Sequence, residues 1–254
     1  VRRRIGLEDI KEYKWQSKPV TVAVLDSGMA PHPDLLGKCM VFKDFVNEKS
    51  IAYDDNGHGT HIAGILCGGL DLDGWIIGMA PHAELLVFKI LDKNGNGSTQ
   101  KAIQALEWLE RNHEKYDVRI LNFSMGYLSN ANPNLQKVLI DKLENLWDEG
   151  VIVVTAAGNN GPKENSITVP GISRKVITVG SSDDVYETSK SYSGRGPTAC
   201  CIVKPEILAP GTEIKSYGLK EGEDYNKLRK IKVYAIINYC LLYTYYHYTY
   251  NQNI

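Results

Sequence analysis

The chain has 254 residues, 43% hydrophobic and 23% charged, which suits one large α/β domain or two small ones with a sizeable core. Its formal net charge of −1 gives no electrostatic basis for binding nucleic acid or a membrane surface. The Arg2-Arg3-Arg4 run is short and terminal, and reads as a solvated end.

Val20 to Leu25 is a short apolar run rich in β-branched residues, closed by the turn signal Asp26-Ser27-Gly28, and predicts a buried strand. Glu84 to Leu91 predicts a second strand, followed by the turn Asp92-Lys93-Asn94-Gly95-Asn96-Gly97. Ser98 caps a predicted helix running to about His113, with Ile103, Leu106 and Leu109 on one face. Val118 to Phe123 is the third predicted strand. Asn132-Pro133 opens a second helix with Leu135, Val138, Leu139, Leu143, Leu146 and Trp147 at helical spacing, and Gly150 stops it. Val151 to Ala156 and Val176 to Val179 are the fourth and fifth strands. Strands alternating with helices predict a mostly parallel sheet covered on both faces. Ligand sites in such folds lie outside the carboxyl ends of the strands. Asp26, Ser124 and the Ala157-Gly158-Asn159 turn all fall at such ends.

The character changes after Tyr217. Residues 225–254 hold eight of the 15 tyrosines and no glycine, proline or acidic residue, so 1–217 reads as the domain and 218–254 as an atypical tail. The five cysteines are odd in number and include no Cys-x-x-Cys pair, which suggests neither a disulfide framework nor a zinc knuckle. No apolar stretch reaches membrane-spanning length, and no basic-then-apolar leader opens the chain. As written it reads as cytoplasmic, and as secreted if a leader has been removed.

Three motifs carry chemistry: Ala23-Val24-Leu25-Asp26-Ser27-Gly28, Asp55-Asn56-Gly57-His58-Gly59-Thr60-His61 and Thr155-Ala156-Ala157-Gly158-Asn159-Asn160-Gly161. A general base needs a histidine held in one tautomer by a carboxylate. Asp26 at a strand end can orient His58, and Asn159 in a glycine-rich turn can donate to an oxyanion formed in acyl transfer. Singly, each motif has a plainer reading: an ordinary turn, a helix cap or half a metal site, and a loop. The ordered set is far more specific than its members.

In this order the motifs are similar to those of the subtilases, the subtilisin-like serine peptidases. Pro31-His32-Pro33-Asp34-Leu35, Gly78-Met79-Ala80-Pro81, Asn122-Phe123-Ser124-Met125-Gly126, Ser191-Tyr192-Ser193-Gly194 and Lys204-Pro205-Glu206 through Gly211 extend the resemblance over roughly residues 18–216. It implies a three-layer subtilisin-like α/β fold with a mostly parallel central sheet, incomplete at its C-terminal end, and a serine endopeptidase acting through an acyl-enzyme. Asp26 would be the triad acid, His58 the general base and Asn159 the oxyanion donor. Ser124, Met125 and Gly126 would form one wall of the pocket for the residue before the scissile bond, and Ala156, Ala157 and Gly158 the other. Gly95, Asn96 and Gly97 would form an edge strand that pairs with substrate backbone. The small lining implies an uncharged, apolar preference.

The implied partners are a polypeptide substrate and an inhibitory propeptide, with no nucleic acid or membrane. No cofactor is required. Structural calcium is the one metal the resemblance raises. Asp34 matches a ligand position in some relatives, and Asp71-Leu72-Asp73-Gly74 falls where some carry a calcium loop. A turn carboxylate beside Pro33 is the preferred reading of Asp34.

The departure lies in the nucleophile. The family carries it in a Gly-Thr-Ser-Met-Ala-type segment soon after the Ala-Pro-Gly seen here at 209–211. Ser216 is the last serine of this chain. Ser124, although followed by Met125, precedes Asn159 and reads as substrate wall. Ser27 and Ser216 read as turn residues. The expectation is therefore an Asp–His pair and a groove without the serine. That describes an inactive peptidase, a peptide-binding pseudoprotease or a truncated or frame-shifted product. Elements meant to pack on the missing segment would expose apolar faces unless the tail covers them.

Overall fold

A strand buried on both faces cannot alternate polar with apolar residues, so it reads as a continuous apolar run. Thr21–Asp26 (β1) is buried at all six positions. The computed structural model describes residues 20–69, 78–126, 132–182, 192–219 and 229–231. The other principal strands are Cys39–Asp44 (β2), Glu84–Lys89 (β3), Val118–Phe123 (β4), Ile152–Ala156 (β5), Ile177–Ser181 (β6) and Ile207–Ala209 (β7). They form one sheet in the order β2-β3-β1-β4-β5-β6-β7, parallel throughout. Ile214–Ser216 (β8) pairs antiparallel with Arg229–Ile231 (β9), which lies inside the stretch read as a tail. The rest of that stretch beyond residue 219 lies outside the described residues.

Successive side chains on a strand point to opposite faces, and β1 divides accordingly. Val22 and Val24 join Ile62, Ile65 and Leu66 of helix His58–Cys67 (α1) in one core. Ala23 and Leu25 join Leu106 and Leu109 of helix Thr99–Glu110 (α2) and Leu139, Leu143 and Leu146 of helix Pro133–Asp148 (α3) in the other. Helices thus cover both faces, giving the three layers expected.

Four details differ from the sequence reading. Strand β2 was not foreseen, because as an edge strand it is only half-buried and its pattern is mixed. Strand β7 was read only as an approach to the nucleophile, being three residues long. Helix α2 ends at Glu110, and residues after Arg111 turn so that Val118 N donates to the His113 carbonyl. Strand β3 stops at Lys89, because Ile90 N and Leu91 N both donate to the Asp26 carbonyl, at 2.9 and 3.2 Å. That fork ties the end of β3 to the end of β1. The chain crosses from β3 to β4 around β1, so strand order reverses beside Asp26, which is where a ligand crevice is expected.

Candidate active site

Asp26 ends β1, fully buried, and His58 opens α1 with its side chain 16% exposed. His58 Nδ1 lies 2.8 Å from Asp26 Oδ1 and 2.9 Å from Oδ2. Nδ1 therefore donates to the carboxylate, which makes Nε2 the acceptor nitrogen of the neutral ring. Burial lowers the His58 pKa, but the Asp26 charge and hydrogen bond, helped by Asp54, raise it on balance. Burial likewise raises Asp26, and the His58 charge and hydrogen bond, with bonds from Ser27 N and Ser124, hold it below its usual value. The pair is a hydrogen-bonded carboxylate–imidazole couple, an arrangement that can serve as a general base.

Its scaffold comes from residues the motifs did not single out. Asp54 is buried, and its Oδ1 accepts from Ser27 Oγ at 2.9 Å, Gly57 N at 2.8 Å and Asn56 N at 3.0 Å. Its Oδ2 accepts from Thr60 N and Thr60 Oγ1, at 2.9 and 2.7 Å. One carboxylate thus caps α1 and ties it to the turn after Asp26. An acidic residue just before a helix start was the available signal. Lys89 is fully buried, with Nζ donating to the Ser27 carbonyl, Asp55 Oδ1 and the Leu91 carbonyl at 2.6, 2.6 and 2.8 Å. Gly59 also touches this turn so closely that a Cβ there would stand 2.1 Å from the Gly28 carbonyl oxygen.

The wall residues gather at the same sheet edge. Asn122 Nδ2 donates to Ser124 Oγ at 2.9 Å at the end of β4. A Cβ on Gly97 would stand 2.7 Å from Met125 Cε, so the turn at 92–97 lies against that wall. This segment is a turn closed by a bridge between Leu91 and Gly97, with Asp92 Oδ1 accepting from Asn94 N and Asn96 N, in place of an extended edge strand. Past β5, Ala157 N donates to the Val179 carbonyl and Gly194 N to the Gly158 carbonyl. Gly158 has φ of +87°, a conformation that favours glycine. Asn159 follows it, exposed.

The Subtilase family model matches residues 17–249. This chain belongs to the subtilase family. Serine protease AprX of Bacillus subtilis is 42% identical over 225 residues, which are 84% of this chain and 50% of AprX. Minor extracellular protease Epr of the same organism is 34% identical over 205 residues, 80% of this chain and 28% of Epr. The chain thus spans half the length of AprX or less than a third of Epr. Subtilisin DY of Bacillus licheniformis is 30% identical over 215 residues, with 72% of its length covered. Among solved structures, the S41 psychrophilic protease aligns with a TM-score of 0.71 at 26% identity, covering 89% of this chain and 75% of that one. Sphericase aligns with a TM-score of 0.71 at 25% identity, covering 93% and 81%. These fold neighbours bear out the three-layer subtilisin-like architecture.

Within this subtilase the serine hydroxyls near the motifs are committed elsewhere. Ser27 Oγ donates to Asp54 and accepts from Gly59 N at 2.9 Å. Ser216 Oγ donates to the His61 carbonyl at 2.8 Å. Ser124 Oγ pairs with Asn122 and supports Asp26. His58 Nδ1 faces Asp26, and His61 Nε2 donates to the Ile214 carbonyl at 3.1 Å, so one nitrogen of each ring is committed to a protein partner.

Asp34, the calcium candidate, accepts from the Tyr217 hydroxyl at 2.6 Å, while the Tyr217 ring stacks on His32 at 3.8 Å. No group of three or more His, Cys, Asp or Glu side chains among the described residues is arranged to hold a metal. The Asp71–Gly74 loop lies outside the described residues. No helix among the described residues is long and apolar enough to cross a membrane.

Proposed function

We propose that this chain supplies the acid–base pair and the substrate groove of a serine endopeptidase, and that its 254 residues do not supply the nucleophile. The observation that carries the reading is the two-oxygen contact between Asp26 and His58 Nδ1. It fixes the tautomer that a serine hydroxyl would need in order to lose its proton to Nε2. Asn159 would donate to the oxyanion, and Ser124–Gly126 and Ala156–Gly158 would hold an extended polypeptide, with the turn that carries Gly95–Gly97 lying against the Ser124–Gly126 wall. Relatives named as serine proteases support the family chemistry. The serine positions support the missing step, since the last serine is Ser216 and its hydroxyl faces the carbonyl of His61.

The test is incubation with labelled, denatured casein, followed by fluorescence anisotropy and by gel. Saturable binding with the casein intact is expected. Cleavage that disappears in His58→Ala would overturn the missing nucleophile, and absence of binding would overturn the groove. The second reading is a chain with no activity of its own. The composition of residues 225–254, tyrosine-rich and without glycine, proline or acid, favours it and also supports a boundary at Tyr217.

A further inference from the structure

Cys200 and Cys201 are neighbours in the chain, and both are exposed with free thiols. They sit at the tip of a hairpin that leaves the 156–158 wall, where Gly194 N donates to the Gly158 carbonyl at 2.9 Å. Gly196 N donates to the Lys204 carbonyl at 3.0 Å and Thr198 N to the Ile202 carbonyl at 2.9 Å, which leaves 199–201 as the connecting loop. Cys201 N donates back to the Thr198 carbonyl at 2.8 Å, and Thr198 Oγ1 accepts from Ile202 N at 3.1 Å. A hairpin loop of this length is a tight turn followed by a left-handed residue, a position that glycine ordinarily fills. Here Cys201 fills it, with φ of +57°. A cysteine is thus held in a backbone conformation that side chains disfavour, at an exposed tip where it buries nothing in return.

We infer that the Cys200–Cys201 tip is a two-thiol clamp for a soft, thiophilic centre of the trivalent-arsenic class. Adjacent Cα atoms stand about 3.8 Å apart, closer than the span of about 4.4–6.8 Å that a disulfide ordinarily bridges, so closure of the pair on itself is disfavoured. An extended chain would send consecutive side chains to opposite faces, and the left-handed turn of the backbone at Cys201 breaks that alternation. Structural zinc takes four protein ligands, and no group of three or more His, Cys, Asp or Glu side chains among the described residues is arranged to hold a metal. Two thiolates do satisfy a soft centre that prefers sulfur to oxygen or nitrogen. Capture of an arsenoxide balances without an oxidant. Two S–H bonds and the As=O bond break, two As–S bonds form, the thiol protons leave with the oxygen as water, and arsenic stays trivalent.

The test incubates the full chain, reduced and folded, with phenylarsine oxide and reads the intact mass. One adduct is expected, formed with loss of water, resistant to excess mercaptoethanol and removed by dithiothreitol. The second As–S bond is made within the molecule, so removing either thiol should weaken retention by about 100-fold or more. Cys200→Ser removes one thiol at an exposed site. Cys201→Gly removes the other and suits the left-handed position, so it should unfold at or above the parent temperature while losing the adduct. Cys39, Cys67 and Cys240 are unchanged in both variants and set the background. No adduct on the parent overturns the inference, as does an adduct retained by a folded Cys201→Gly or Cys200→Ser chain. An adduct that mercaptoethanol strips as readily as dithiothreitol shows capture by a single thiol and also overturns it.

Discussion

Asp54 Oδ1 accepts from Ser27 Oγ at 2.9 Å, and Ser27 directly follows the carboxylate that holds His58. Asp54 thus joins the turn after Asp26 to the start of the helix that carries His58. Asp54 takes five hydrogen bonds in all, from Ser27 Oγ, Asn56 N, Gly57 N, Thr60 N and Thr60 Oγ1. Removing a buried, charged acceptor strands every donor aimed at it. Asp54→Ala should lower unfolding free energy by about 3–5 kcal/mol, measured by urea denaturation. A loss comparable to a surface substitution would show that the cap is ornamental.

Lys89 makes the same kind of join from the other side. Its fully buried ammonium is satisfied by two carbonyls and Asp55, so replacing it leaves three acceptors facing an apolar chain. Lys89→Met should cost about 2–4 kcal/mol in the same assay. Asp55 is 37% exposed and can turn to water, which sets this below the Asp54 effect.

The Asp26–His58 pair makes stability depend on pH in a defined direction. His58 is raised above its usual 6.5, so its contribution is fully present below that value and is lost as pH rises through the folded pKa. Asp26 is held below its usual 3.8, so its contribution is present above that value and is lost as pH falls through the folded pKa. The pair therefore stabilises most between those two values. Asp26→Asn should lower the His58 pKa, read from the ring resonances by NMR. It should also cost more stability near pH 5.5, inside that window, than near pH 9.

The parts of the site legible in sequence were those carried by contiguous residues. Asp26 and His58 sit in short motifs whose turns and helix start are locally encoded, and each pairs with the other where those motifs placed them. Asp54 reaches Ser27, 27 residues back, and Lys89 reaches Ser27 and Asp55, 62 and 34 residues back. Lys89 ends an apolar strand, where a lysine ordinarily snorkels to water, and nothing local says that its ammonium turns inward. The central strands β1, β3, β4, β5 and β6 were readable because both of their faces are covered, whereas β2 and β7 sit at the edges with mixed burial. Asp34 accepts from the Tyr217 hydroxyl 183 residues away, a pairing that no local pattern announces.

The proposed state of this chain is an assembled Asp26–His58 pair without a serine to serve. It is tested most directly by incubating the purified chain with a fluorophosphonate probe and reading the intact mass. No mass shift is expected, in the parent and in His58→Ala alike. A stoichiometric shift that vanishes in His58→Ala would contradict it, and the labelled peptide would identify the nucleophile.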